Sequence, residues 1–401
     1  MSGPGSFSSF LARIYAFKFF DACVLIGPLY TVMFVDAGLK PVEISITLTA
    51  WSVTTFLLQA PSGLVADRAP RKWVLAAAQI ARAVGFAAWA LDPHFWGFFA
   101  GLILWGVKSA FTSGTFEAMV YDELKALDRT GDYPKVIGRA RAAQAIGTLG
   151  ASLGAAATVD FGYGVALAAS AVACGLCFLA SAALPAAPRA LEVEDRGYVE
   201  HLRSAVIEAG RQPVVLSILA FSAVVLALGQ SLSEFWPVFG AKTGLARPVI
   251  ALFVGGQSLL EALANTVAHR VYRRTRRWFY AALTLCGAML ATAAAIFQPW
   301  CLAILIVYSA ILKLTDTVFE GRLQQTVSSG NRATVGSMKT LAAQIGASSL
   351  YLTFGPIAQT IGYRIAFLAC GGAGIAFGLI FLGARRLAER SVRPPRGEQT
   401  A

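Results

Sequence analysis

The sequence predicts an all-α membrane protein with twelve transmembrane helices, grouped as two similar six-helix bundles. Three observations predict it. Apolar residues are gathered into long stretches, basic residues recur in every second link between those stretches, and the second half of the chain repeats features of the first.

The 401 residues are 56% hydrophobic, with a mean hydropathy of +0.62, and only 14% are charged, against roughly 25% in a soluble domain. Such a chain lacks the polar residues to cover a water-exposed surface. Windows such as WVLAAAQIARAVGFAAWAL (73–91) and FGYGVALAASAVACGLCFLASAAL (161–184) are long enough to cross a hydrocarbon core of about 30 Å as helices. Lipid offers no partner to an open strand edge, and a membrane β-barrel would show short segments of alternating polarity instead. The net charge of +12 invites a nucleic-acid reading, but the basic residues are scattered among the links, which excludes it. No cleavable leader is expected, because MSGPGSFSSFLARIYAFKFF runs straight into the first apolar stretch. Cys174 and Cys177 have CxxC spacing but lie mid-span without further ligands, so small buried residues are the better account.

Taken in order, the spans are expected at about 15–37, 42–65, 73–91, 95–118, 136–158, 162–185, 212–238, 247–268, 278–297, 299–319, 335–356 and 361–383. The links after spans 2, 4, 8 and 10 carry bases such as Arg68, Arg71, Lys72, Lys125, Arg273, Arg274 and Arg322, as do the central link and the tail. The alternate links hold only Lys40, Lys242, Arg247 and Arg364. By the positive-inside rule, both termini and the central link face the cytoplasm. The expected organisation is an N-terminal bundle at 1–185, a cytoplasmic linker at 186–211, a C-terminal bundle at 212–384 and a basic cytoplasmic tail at 385–401.

The halves match at a shift of about 202 residues. PSGLVADRAPRKW (61–73) aligns with LANTVAHRVYRRT (263–275), and TFEAMVYDEL (115–124) with VFEGRLQQTV (318–327), placing Glu117 on Glu320. Two similar bundles around a central cavity would let a solute be reached from either side in turn.

Gly63, Asp67, Arg68, Arg71 and Lys72 stand in the spacing Gly, Asp four residues on, then a basic pair. This resembles the loop 2–3 signature of the major facilitator superfamily, and the likeness extends over essentially the whole chain. Closest in feel are its bacterial drug-efflux-like members. The resemblance implies a secondary transporter of a small organic solute in a cell inner membrane, working as a monomer without a cofactor. It also implies that Asp67 latches the two bundles on the cytoplasmic side. On the residues alone, Gly63 permits close backbone approach, and Asp67 is placed to pair with Arg71 or with a base on a neighbouring helix. Glu117 and Arg141 are placed to pair across the link between spans 4 and 5, with Glu320 and Lys339 as their counterpart. The glycines of span 5, Gly147, Gly150 and Gly154, match the antiporter signature of that helix in part, without its proline.

Ionisable residues inside spans are costly and face a cavity or a partner. They are Asp21, Arg82, Lys108, Glu234, Glu261, Lys313 and Asp316. In the resembled family, spans 1, 4, 7 and 10 line the cavity, which implies cavity positions for Asp21, Lys108, Glu234, Lys313 and Asp316. Asp21 and Lys108 are placed to pair. These residues are the candidates for solute or proton binding, with protons as the expected coupling ion. Phe19, Phe20, Tyr30, Trp105, Phe235, Trp236 and Phe319 would give a mostly apolar pocket suited to an amphipathic solute. The reading is proton-coupled efflux, with proton-coupled import of a nutrient or metabolite as the alternative and a non-transporting membrane sensor or scaffold as the third. No enzyme site is expected, since no nucleotide-binding glycine loop is present and His94, His201 and His269 are scattered.

Overall fold

The computed structural model describes residues 4–185, 213–326 and 332–391, and all regular structure among them is helical. The expected linker at 186–211 and most of the basic tail lie outside the described residues. The helices are α1 Pro4–Ala22, α2 Tyr30–Asp36, α3 Pro41–Arg68, α4 Arg71–Leu91, α5 Phe95–Thr112, α6 Thr115–Ala126, α7 Tyr133–Thr158 and α8 Tyr163–Ala182. They continue with α9 Pro213–Leu226, α10 Trp236–Lys242, α11 Arg247–Val271, α12 Arg276–Ile296, α13 Leu302–Thr326, α14 Arg332–Thr360 and α15 Tyr363–Ser391.

Three rods are broken pairs, and each break has a local cause. α1 ends at Ala22, and Gly27 and Pro28 lie in the turn that leads into α2, where proline lacks the backbone donor a continuous helix would need. Gly114, at φ +75°, separates α5 from α6. A π-helical turn at Ala227–Ser231 ends α9, and Pro237 restarts the chain as α10. The α9 and α10 segments meet at 44°. With each pair counted once, the described residues form twelve rods.

Among the described residues, nine helices are long and apolar enough to cross a membrane, and ten when α9 and α10 count as one bent span. The rods outside this set are α1–α2, interrupted and carrying Lys18 and Asp21, and α14, which carries the polar run SMKTLAAQIGASS. Polar rods in a membrane protein face its interior, not lipid.

Within the halves, α12 packs on α15 and α4 on both α5 and α8. Across the halves, α3 packs on α14 and α7 on α11. The repeat equates α3 with α11 and α7 with α14, so the two cross-half contacts exchange under that equivalence. Small residues set both approaches. A Cβ on Gly255 would lie 2.8 Å from Ser152 Cβ, and one on Gly355 would lie 2.6 Å from Ser45 Cβ.

Candidate functional site

A cavity lies between the halves in two lobes, of about 220 and 360 Å³. The smaller is walled by Tyr30 from α2, by Gln257 and Glu261 from α11, and by Lys313 and Asp316 from α13. The larger is walled by Trp51 and Ser52 from α3 and by Gln344 and Tyr351 from α14. Gln230, Ser233 and Glu234, at and just after the π-helical turn, line both lobes. A broken helix at membrane depth is tolerated where it borders a cavity, and it turns polar groups into that cavity.

Glu234 spans the junction of the halves. Its Oε2 accepts a 2.6 Å hydrogen bond from the Tyr30 hydroxyl. The Tyr30 ring is held from the other side by N-half aromatics, Trp89 and Trp105, at centroid distances of 6.0 and 5.7 Å. Among the described residues, no basic group lies within 4.0 Å of the Glu234 carboxylate. Glu261 accepts a 2.9 Å bond from Gln257 one helical turn before it and likewise has no ion pair. Lys313 stands 3.9 Å from Asp316, and Asp316 is also held by Lys339 at 2.8 Å. Lys339 reaches Glu320 as well, so the counterpart pair read from the sequence is made and extends to Asp316.

Asp21 and Lys108 do pair, at 2.7 Å. The pair belongs to a larger buried cluster. Asp21 also accepts from Gln79 at 2.9 Å and Arg82 at 3.2 Å, and Arg82 donates to the Asp21 carbonyl at 2.9 Å. This cluster ties α1, α4 and α5 together, and neither Asp21 nor Lys108 lines either lobe. The expected cavity positions are therefore corrected for these two. The helices fold Gln79 and Arg82 between them, so the carboxylate is saturated inside the N half.

The lining corrects a second expectation. Of the aromatic candidates, Tyr30 alone reaches the lobes, while Phe235, Trp236 and Phe319 are fully buried in the C-half core. Serines, glutamines and charged groups supply most of the smaller lobe's wall, so that lobe is polar, while the larger lobe, with Trp51, Leu226, Ala347 and Tyr351, keeps a mostly apolar wall.

On the face that carries the basic links, α3 runs on through Arg68, and the link shrinks to residues 69–70. Gly63 faces open space, with nothing within 4 Å of a Cβ placed there, so the expected close approach is not made. The Asp67 side chain lies outside the described residues. Arg68 is exposed, Arg71 pairs with Asp122 at the end of span 4, and Lys72 lies over the Trp73 ring. Glu117 and Arg141 form no ion pair within 4.0 Å among the described residues, and Arg141 is exposed. Gly147 is needed for packing, since a Cβ there would meet the Phe19 carbonyl oxygen at 2.3 Å.

The opposite face is bridged between halves. Asp36, at the end of α2, accepts two bonds from Arg247 at the start of α11, at 2.7 and 2.9 Å, and a further bond from the Tyr163 hydroxyl. Among the described residues this is the only ion pair that joins the halves. Sequence reasoning missed it, although a charge at each end of an otherwise base-poor face was the available signal.

Twelve helical rods among the described residues, two exchangeable halves and a cavity between them define a solute-carrier architecture. The chain belongs to the major facilitator superfamily, whose family profile matches residues 7–348. Among solved structures it resembles the nucleoside transporter NupG at 15% identity, with a TM-score of 0.76 over 94% of this chain and 99% of that one. It also resembles a D-xylose-proton symporter at 13% identity and TM-score 0.72, over 93% of this chain and 96% of that one. A bacterial homolog of the human lysosomal transporter Spinster, inward-facing and occupied, matches at 14% identity and TM-score 0.71, over 98% and 100%. No curated protein sequence matches the chain.

Proposed function

We propose that this protein exports a small organic solute across a bacterial-type inner membrane by proton-coupled alternating access, as a monomer with both termini cytoplasmic. The observation that carries this reading is Glu234. It is a carboxylate at membrane depth, without a basic partner, lining both lobes and bonded across the halves to Tyr30. A carboxylate balanced by a nearby base has little reason to exchange protons, whereas one held by a single neutral donor can take a proton and give it up.

The same group explains how the proton moves the protein. A hydrogen bond to an ionised carboxylate is roughly twice as strong as one between neutral groups. Ionised Glu234 therefore holds α2 against the C half and keeps the outer face shut. Protonation weakens the Tyr30 bond and favours outward opening. Because Glu234 also lines the solute cavity, proton and solute compete for one place, which favours exchange in opposite directions. The Asp67–Arg71 motif is the proposed latch of the outward-open state. On the basic face, the described ion pairs of Arg71 and Lys339 stay within each half.

The polar lining of the smaller lobe favours a second reading, the uptake of a hydrophilic nutrient or metabolite. Transport in inverted and right-side-out vesicles, with and without a pH gradient, separates the two. Export predicts gradient-dependent accumulation in inverted vesicles, and Glu234→Gln should abolish it. Gradient-driven transport that survives Glu234→Gln would sink the proton assignment.

A further inference from the structure

The charges around the smaller lobe are unequal. Glu234, Glu261 and Asp316 line it against Lys313 alone. Lys313 and Asp316 sit 3.9 Å apart, and Lys339 holds Asp316 from outside the lobe. Glu234 and Glu261 accept from the neutral donors Tyr30 and Gln257 respectively, and Lys313 is the one base that acts on Glu261, leaving Glu234 without one. Both donors are more than nine-tenths buried, at 7% and 8% exposure, which fixes the carboxylates in place. The nearest excess of positive charge, the Asp21 cluster, is packed inside the N half and lines neither lobe. A lobe lined by three carboxylates and a single base is complementary to positive charge.

We infer that the transported solute is a small hydrophilic organic cation whose charged nitrogen binds between Glu234 and Glu261. This deepens the proposed transport function and rests on it. The hydroxyls and amides of Ser233, Ser258, Ser309, Gln230 and Gln257, which share the lobe, suit hydroxyl or amine substituents better than a greasy ring system. Glu234 is shared between proton and solute, whereas Glu261 serves the cation alone. Loading the cation at Glu261 and displacing the proton at Glu234 makes the exchange charge-balanced for a monocation.

The test uses the full chain in detergent and measures binding by thermal stabilisation. The probes are choline, putrescine and glucosamine, each against its uncharged counterpart: 3,3-dimethylbutan-1-ol, butane-1,4-diol and glucose. At least one amine should bind about tenfold or more tightly than its counterpart, as expected for a close charge pair in a buried site. Glu261→Gln should remove that preference with the unliganded melting temperature unchanged, and Glu261→Asp should retain it. The inference is overturned if no amine binds, if the uncharged partners bind equally well, or if the preference survives Glu261→Gln. Binding needs no gradient, so the two readings fail separately. Amine binding without gradient-driven movement removes the proton coupling alone, and gradient-driven movement of uncharged solutes alone removes the cation assignment.

Discussion

Asp21 carries more bonds than any other ionisable residue inside the spans, and its surroundings suit structure better than proton exchange. Arg82 and Lys108 face one carboxylate, so removing that charge leaves two buried cations opposed. Breaking a buried ion pair in this way costs about 3–5 kcal/mol. Asp21→Asn should therefore lower the thermal unfolding temperature in detergent markedly, and adding Lys108→Met should recover much of the loss. An unchanged unfolding temperature with loss of gradient-driven transport would instead make Asp21 a proton carrier. The pairing of Asp21 with Lys108 was legible because opposite charges inside apolar spans need partners. The part of Gln79 and Arg82 was not, since it depends on how α4 rotates between α1 and α5. Glu234 was legible only as one acid among several; its lack of a counter-charge is a fact of packing.

The element that positions Glu234 is a break, and breaks were half visible. Gly27-Pro28 and Pro237 announce where helices restart, but nothing in ALGQS signals a π-helical turn. As a result, α2 is a short rod tied at its start to Glu234 and at its end to Arg247. The outer tie is partly exposed, at 26% for Asp36 and 47% for Arg247, so it is worth at most about 1 kcal/mol. Asp36→Asn should shift the population toward outward-open by up to about fivefold. Distances between spin labels on the outer ends of α2 and α10 would report the shift. No lengthened population in Asp36→Asn would show that Tyr30 and Glu234 hold the outer face unaided. Gly255 and Gly355 set the cross-half approaches that act as pivots, so Gly355→Ala should push α14 from α3 and slow transport without abolishing binding.

At the scale of the whole molecule, the half-chain repeat was the most informative reading. It predicts that α3 and α11, and α7 and α14, play equal parts, and the packing of α3 on α14 and α7 on α11 obeys that exchange. Composition fixed the helical class, because no other structure satisfies the backbone in lipid. The closed face was not legible. Charge bias sets orientation, while closure depends on contacts between residues some 200 positions apart, such as Tyr30 with Glu234. The most direct test of the account is the distance between labels on the outer ends of α2 and α10 in reconstituted protein, followed as pH falls. The account predicts that acidification lengthens this distance in the native chain and leaves it unchanged in Glu234→Gln. A pH-independent distance in the native chain, or an undiminished response in Glu234→Gln, would contradict it.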